Sequence, residues 1–291
     1  MIPEFNRDGR LPAGIHWATW QEIESRFGFS ERRRELLSGL RSGLRALRTA
    51  GCRQLYIDGS FVTAKGEPGD YDACWDIDGV DVESLDPAFL DFANGRRAQK
   101  RKYFGEFFPA QMPEGASGKL FLEFFQTDKE EGEIQGDHWL DPTGGGVVIK
   151  NERQYRITQA HAAKFRATLN ELCAVPRPKD IHPKLWVAQK AGLKSQLQDL
   201  EAELCDYEAL RSGGPKTLEL DSLDALPRVL IQARIAAGLT QEDLAARLGV
   251  KPQQIQRWEA SDYQTASFAR LREIARVLGL QVRESVELVQ K

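Results

Sequence analysis

The sequence predicts an α+β domain followed by an all-α region. Three observations support this prediction. A leucine-rich amphipathic stretch and short apolar runs of strand length share the first half of the chain. A Pro- and Gly-rich run, DPTGGG at residues 141–146, then marks a boundary. Beyond it the apolar residues recur at helical spacing, and we predict three domains, at residues 1–148, 149–225 and 226–291.

The N-terminal domain is predicted to be a long helix packed on a small sheet. The helix begins at Ser30, carries leucines at helical spacing and ends before Gly51. Apolar runs then predict three strands, at residues 54–58, 70–75 and 119–125.

Two helices are predicted in the middle region, at residues 158–173 and 183–211. In the second helix, leucines recur every three or four positions among polar residues, which suits pairing with another helix. The expected partner is the preceding helix, the N-terminal domain or a second copy of the chain.

The composition restricts the expected location of the protein, the state of its cysteines and the kind of partner that it binds. No stretch is long and apolar enough to cross a bilayer, and the N-terminus lacks the apolar core of a signal peptide, so we expect a cytoplasmic protein without a membrane partner. The four cysteines are too widely spaced for a zinc site or a disulfide framework. Net charge is −7 over residues 1–148, +1 over 149–225 and +3 over 226–291. Only residues 226–291 are therefore expected to be attracted to a nucleic-acid phosphate backbone. The acidic charge of residues 1–148 has an alternative explanation, because acidic surfaces also occur for solubility alone.

The run IDGSFVTAKGEPGDYDACWD, residues 57–76, contains the most informative motif. Asp70 and Asp72 alternate along a predicted strand, so their carboxylates face the same way and suit Mg²⁺ that carries a nucleotide's phosphates. In the preceding turn, Gly59 allows close approach of a phosphate and the Ser60 hydroxyl can help to hold it. Glu123, the only acid in the apolar run LFLEFF, is the candidate third carboxylate.

This motif resembles that of the DNA polymerase β-like nucleotidyltransferase superfamily, Gly-Ser followed by Asp-x-Asp. More closely, GSFVTAK, PGDYDACWD and FFQTDK are similar to a bacterial nucleotidyltransferase-fold family of toxin-antitoxin operons, over roughly residues 10–140. The resemblance implies Mg²⁺-dependent transfer of a nucleotide from a nucleoside triphosphate to tRNA or to a protein hydroxyl. One departure is that the third carboxylate is commonly Asp on its own strand in the superfamily, whereas here Glu123 is the candidate.

Several other residues are weaker candidates. Lys65 could contact a phosphate of the nucleotide, although an exposed loop lysine is more often only solvated. The basic run from Lys100 to Tyr103 could guide a phosphate toward the acids. The six tryptophans, Trp17 included, are not arranged as a base-stacking platform and are predicted to pack in cores.

The C-terminal run TQEDLAARLGVKPQQIQRWEA predicts a helix-turn-helix. A first helix fits residues 226–237, and Thr240 is placed to cap a second over residues 241–248. Gly249 makes the turn, and Pro252 stands at the first position of the third helix, the one presented to the major groove.

Six residues of this segment are predicted to contact operator DNA. Gln pairs with adenine and Arg with guanine through paired hydrogen bonds, and a side chain at the start of the second helix suits a phosphate. These residues are Gln241, Lys251, Gln253, Gln254, Gln256 and Arg257. The segment resembles the Xre family of lambda-repressor-like DNA-binding domains over about residues 226–280, and with residues 149–225 it is similar to a complete Xre-type antitoxin.

The sequence thus predicts a toxin and its antitoxin fused in one chain. The front half would be a nucleotidyltransferase, and the rear half would bind a palindromic operator as a homodimer. The alternative is a transcriptional regulator whose nucleotidyltransferase-fold domain has lost catalysis and serves for sensing or docking.

Overall fold

The computed structural model describes residues 2–127, 149–213, 217–218, 220 and 222–282. The predicted boundary at residues 141–146 lies outside these residues. Two compact units are present, Met1–Trp139 with Ala163–Gln198, and Leu140–Ala162 with Asp199–Lys291. The middle region is therefore divided between the units, while the three predicted domain boundaries stay predictions.

Among the described residues before the middle region, the first unit has four α-helices and three strands. The helices are α1 (Trp20–Phe27), α2 (Glu31–Thr49), α3 (Arg97–Tyr103) and α4 (Phe121–Phe125), and the strands are β1 (Leu55–Asp58), β2 (Asp72–Trp75) and β3 (Glu106–Pro109). Local capping defines the start of α1, where Thr19 and Glu22 exchange side-chain and backbone hydrogen bonds. The long helix predicted from Ser30 is confirmed, with the Ser30 hydroxyl accepting the Arg33 N–H.

The three strands form one mixed sheet in the order β1, β2, β3. Strand β2 runs antiparallel to β1 and parallel to β3. The face that carries Ala73 and Phe107 is buried against α2, where Gly43 leaves space for the Phe107 ring. The opposite face, which carries Asp72 and Phe108, presents the polar residues described below.

The prediction of a third strand at residues 119–125 is wrong, because this run forms the short helix α4 and the third strand is β3. Phe121 and Phe125 lie four positions apart and hence on one side of the helix. Their ring centroids lie 4.8 and 5.0 Å from that of Phe108. Packing of these rings on the sheet favours a helix for this run. The apolar composition alone could not indicate this.

Two long helices, α5 (Glu152–Ala174) and α6 (Pro183–Arg211), each contribute to both units. The second unit continues with α7 (Leu226–Ala236), α8 (Gln241–Leu248), α9 (Pro252–Ala260) and α10 (Phe268–Val277). These positions confirm the predicted helix-turn-helix elements. Fully buried side chains from these helices form the core, namely Leu230, Leu244, Ala245, Ile255 and Ile274. Among the described residues, the structure has no helix that meets the length and hydropathy needed to span a membrane.

Candidate functional site

A row of three carboxylates crosses the sheet of the first unit. Asp58 is opposite Asp72 in the β1–β2 register, and Asp72 is opposite Glu106 in the β2–β3 register. Like charges directly opposite each other on neighbouring strands destabilise a sheet. The repulsion in a row of this kind is relieved by positive charge close to it or by a proton on one of the carboxyl groups.

Lys100 supplies positive charge beside this row and also contacts Asp70, the first aspartate of the motif. Its Nζ lies 3.1 Å from Asp70 Oδ2 and 3.5 Å from Glu106 Oε1. Phe104, a left-handed residue with φ of 64°, caps the C-terminal end of α3, and β3 begins two residues later at Glu106. The structure thus brings Asp70 and Asp72 together with an acid on the neighbouring strand.

The electrostatics of the acidic row are strongly perturbed. Burial raises the pKa of Asp72 well above its usual range, and the nearby carboxylates of Glu106, Asp70 and Asp58 raise it further. Burial would lower the pKa of Lys100, but Glu106 and Asp70 outweigh it and raise that pKa. The raised pKa favours the neutral form of Asp72, and only a cation close to these carboxylates would favour its charged form.

The turn after β1 lies against the acidic row. Gly59 has φ of 81°, and a Cβ at this position would lie 2.5 Å from Asp72 Oδ2, so a larger residue would collide with that carboxylate. The Gly59 N–H donates to Asp58 Oδ1 at 2.7 Å. Ser60 begins a short 3-10 turn, Ser60–Val62, directly after Gly59. The predicted Gly-Ser pair therefore lies beside Asp72.

Arg33, which the sequence analysis did not identify, organises the loop after Ser60. Its side chain is fully buried, and it donates to the backbone carbonyls of Phe61 at 2.8 Å and Thr63 at 2.7 Å. It also donates to the carbonyl of Lys65 at 2.9 and 2.6 Å. The Lys65 side chain is exposed, so its predicted contact with a nucleotide phosphate stays a prediction.

The reason for choosing Glu123 as the third carboxylate is wrong. Its side chain is exposed on α4 and accepts the Leu120 N–H at 3.4 Å, and it is not among the charges that perturb Asp72. Glu106, not Glu123, is the acid on the strand next to Asp72. A signal for it exists in the sequence, because the short aromatic run Glu106–Pro109 directly follows Gly105 and has strand character.

The donor chemistry of this site fits a hard divalent cation, since carboxylate oxygens are the ligands that Mg²⁺ prefers. Within the described residues, however, no group of three or more His, Cys, Asp or Glu side chains is arranged to hold a metal ion. The Lys100 ammonium stands between Asp70 and Glu106. Metal binding here would require Lys100 to give way.

Arg96 is a second cation close to the row, and it is held in an unusual backbone conformation. Asn94, Gly95 and Arg96 are all left-handed, with φ of 48°, 59° and 54°. The Arg96 guanidinium is buried 4.1 Å from the Phe108 ring centroid, and its Nε has no hydrogen-bond partner among the described residues. Burial lowers its pKa, against the opposing effect of Glu106 and Asp72. Such strain is often found at functional sites.

The second candidate surface is the outward face of α9. Ile255, Trp258 and Glu259 point inward and are buried. The five predicted DNA contacts on and beside this helix are all exposed, namely Lys251, Gln253, Gln254, Gln256 and Arg257. Local sequence positions this helix, because Gly249 adopts the left-handed conformation with φ of 65° and Pro252 opens α9.

Gln241 has a structural contact that the sequence did not indicate. Its Nε2 donates at 2.7 Å to Glu259 Oε2, which also pairs with Arg234 at 2.7 Å. The Arg234 and Glu259 side chains are only 3% and 0% exposed. Gln241 therefore supports a buried ion pair between α7 and α9, and its contact with a DNA phosphate stays a prediction.

Comparison with known proteins identifies the class of the second unit. Residues 230–285 match the family described as "Helix-turn-helix" (HTH_3). This region is an Xre-type DNA-binding helix-turn-helix. Residues 3–138 match a family described as "Family of unknown function (DUF6932)". No curated protein and no solved structure gives a significant match to the chain.

Proposed function

We propose that the chain joins a Mg²⁺-dependent nucleotidyltransferase to its own DNA-binding repressor, as in a fused toxin and antitoxin. The observation that carries this proposal is the Asp58–Asp72–Glu106 row beside the Gly59-Ser60 turn. A structural role alone would not favour three carboxylates directly opposite one another. The location that we propose is the cytoplasm, where DNA and nucleoside triphosphates are available.

Each residue of the site has a separate task in this proposal. Asp70, Asp72 and Glu106 would hold Mg²⁺, which neutralises charge on the triphosphate and on the pyrophosphate leaving group. Gly59 leaves room for a phosphate beside Asp72, and the Ser60 hydroxyl donates to a phosphate oxygen. The acceptor is the hydroxyl of a tRNA end or of a protein side chain.

Transfer can be tested with the full chain, Mg²⁺, labelled nucleoside triphosphates and either total RNA or cell lysate. Asp72→Asn and Glu106→Gln should each abolish labelling of the acceptor. Glu123→Gln is the matched control, because Glu123 is exposed on α4, and it should label as well as the unsubstituted protein. Equal labelling by the Asp72→Asn variant would contradict the proposal, as would absence of labelling with every nucleotide.

For the DNA-binding unit we propose that a homodimer binds a palindromic operator. Arg257→Ala should weaken operator binding in a gel-shift assay by about 1–3 kcal/mol, because a bidentate contact to guanine is lost. Arg272→Ala, an exposed arginine on α10, is the control and should bind nearly normally. Binding as a monomer to a single half-site would contradict the dimer.

A second candidate function is a regulator whose first unit no longer catalyses transfer. The position of Lys100 between Asp70 and Glu106 favours it, since a resident ammonium competes with a metal ion. In that case Asp70→Asn and Asp72→Asn would leave both operator binding and cell growth unchanged. If the unsubstituted protein slows cell growth and either substitution removes that effect, the result would instead favour the transferase.

A further inference from the structure

Two aromatic side chains extend the acidic face of the sheet beyond its edge strand. Tyr56 precedes Asp58 by two positions on β1, so both side chains point to the same face, about 7 Å apart along the strand. The Trp17 ring centroid lies 6.2 Å from that of Tyr56, with the two rings inclined by 53°. Trp17 is 64% exposed, so the prediction that it packs in a core is wrong.

The exposed indole is held in position by the segment around it. Thr19, two residues further on, caps α1 through reciprocal hydrogen bonds with Glu22. The His16 ring contacts the Pro12 carbonyl at 2.8 Å. A tryptophan buries a large area in most proteins, so its display on an ordered segment is unusual.

The same N-terminal segment is tied to the loop that follows Ser60. The Ala64 N–H donates to the Gly9 carbonyl at 2.8 Å, and Gly9 has no room for a larger residue without pressing on Ala64. This contact joins the segment that presents Trp17 to the loop that would bind phosphates. Tyr56 and Asp58 also share one face of β1, and Gly59 directly follows Asp58, so the aromatic pair lies near the Gly-Ser turn.

The Tyr56 hydroxyl is already engaged, since it donates to Gln54 Oε1 at 2.8 Å. This hydrogen bond fixes the phenol ring, which is half-buried against the core, so the exposed Trp17 indole offers most of the surface that a ligand can contact. An exposed indole beside a proposed phosphate site suits a nucleobase, because every base has a π face on which a ring can stack. Such stacking tolerates different bases, whereas edge contacts select among them.

We propose that Trp17 and Tyr56 form a stacking site for a nucleobase, whose phosphate would lie at Gly59 and the acidic row. This inference rests on the proposed transferase function and adds the subsite for the base. The base belongs either to the nucleoside triphosphate or to an RNA acceptor. Both present the same ring chemistry to the indole.

The test follows tryptophan fluorescence and binding heat in the full chain with Mg²⁺. The ligands are nucleoside triphosphates, free nucleosides, inorganic tripolyphosphate and a short RNA. Trp17→Leu should bind the nucleotide or the RNA at least about fivefold more weakly and lose the fluorescence change. Tripolyphosphate binding should be unchanged, and Trp17→Phe should keep most of the affinity because it keeps a ring.

Phe268→Leu is a matched control, since Phe268 is 61% exposed on α10, in the other unit. Its nucleotide binding should equal that of the unsubstituted protein. A response to the triphosphate alone assigns the donor base to the aromatic pair, and a response to RNA alone assigns the acceptor base. Either result supports the stacking site.

The remaining outcomes separate the stacking site from the proposed transferase function. If tripolyphosphate binds and nucleotides bind no more tightly, the stacking site fails while the transferase proposal stands. If free nucleosides alter Trp17 fluorescence but tripolyphosphate does not bind, the stacking site stands and the phosphate site fails. A fluorescence change with tetramethylammonium but with no base-containing ligand would identify a cation cage and overturn the inference.

Discussion

Lys100 is the residue on which the charge balance of the acidic row most directly depends. Its side chain is about one-third exposed and contacts both Asp70 and Glu106. Without a cation in this position, the carboxylates would repel one another across adjacent strands. Lys100 thus balances this charge, and it would compete for the same oxygens with the metal ion that we propose.

We expect Lys100→Met to lower the metal-free stability by about 1 kcal/mol and to tighten divalent-cation binding, because the competing ammonium is gone. Thermal unfolding with and without MgCl₂, together with calorimetric titration of Mn²⁺, measures both effects. Lys102→Met is the control on the same helix, since Lys102 pairs with Asp86 instead. It should change Mn²⁺ affinity little. Unchanged Mn²⁺ affinity in Lys100→Met would contradict the competition.

At the scale of elements, α7 and α9 are joined by the buried pair of Arg234 and Glu259. Two hydrogen bonds, at 2.6 and 2.7 Å, connect the guanidinium to the carboxylate. Arg234 also donates to the Leu239 carbonyl at 2.8 Å and to the Lys150 carbonyl at 2.6 Å. The recognition helix therefore owes its position to a polar network as well as to its apolar core.

Arg234→Met should destabilise the second unit by roughly 3–5 kcal/mol, because it leaves the Glu259 carboxylate buried without its partner. The double variant Arg234→Met with Glu259→Met should recover much of this loss, since neither charge then remains. Urea unfolding measures the stability of the single and the double variant, and an operator-binding assay then measures whether each still binds DNA. A single variant as stable as the unsubstituted protein would contradict the assigned role of the pair.

Helix α6 carries a pH-dependent element of its own. Burial, together with the nearby carboxylates of Asp199 and Asp206, raises the pKa of Glu203 to about 7. Between about pH 4.5 and 7 the folded chain then binds more protons than the unfolded chain, so this group makes stability fall as pH rises through that window.

Glu203→Gln should therefore raise stability above pH 7, by about 1 kcal/mol after allowing for partial exposure, and leave it unchanged near pH 4. Thermal unfolding at several pH values measures the difference. The low-pH measurement is the internal control, because the carboxyl is then protonated in both states. A gain that is the same at every pH would point to a cause other than titration.

At the scale of the whole molecule, residues from the middle region complete the first unit. Leu185 is buried in the core that also holds Trp75 and Phe107. The Asn94 N–H donates to Ser195 Oγ at 3.0 Å, and Gln189 donates to the Pro113 carbonyl. The predicted boundary after residue 148 would separate these partners.

We therefore expect the fragment 1–148 to unfold at a lower temperature than the fragment 1–211, because it exposes the apolar surface that α6 covers. Thermal unfolding and limited proteolysis of the two fragments and the full chain test this expectation. Equal melting temperatures for the two fragments would show that residues 163–198 add no stability. Activity assays are accordingly better made on the full chain.

The helix-turn-helix could be predicted from sequence because its signals are local. Thr240, Gly249 and Pro252 each act within one turn of a helix end, and the apolar residues between them follow a single helical period. Their positions along the chain are sufficient to locate α8 and α9. The pair of Asp70 and Asp72 could be predicted for the same reason, because the two residues lie close together in the sequence.

The acidic row could not be predicted in full, because it depends on which strands pair and in what register. Asp58 and Glu106 are 48 positions apart in the sequence and become neighbours of Asp72 only through β1 and β3. Short apolar runs such as 119–125 suit a strand or a helix equally, and packing on Phe108 decides between them. The local pattern was sufficient for the DNA-reading helix and two of the acids. Only the assembled sheet, through long-range strand pairing, brings Asp58 and Glu106 beside Asp72, and only the tertiary structure brings Lys100 against Asp70 and Glu106.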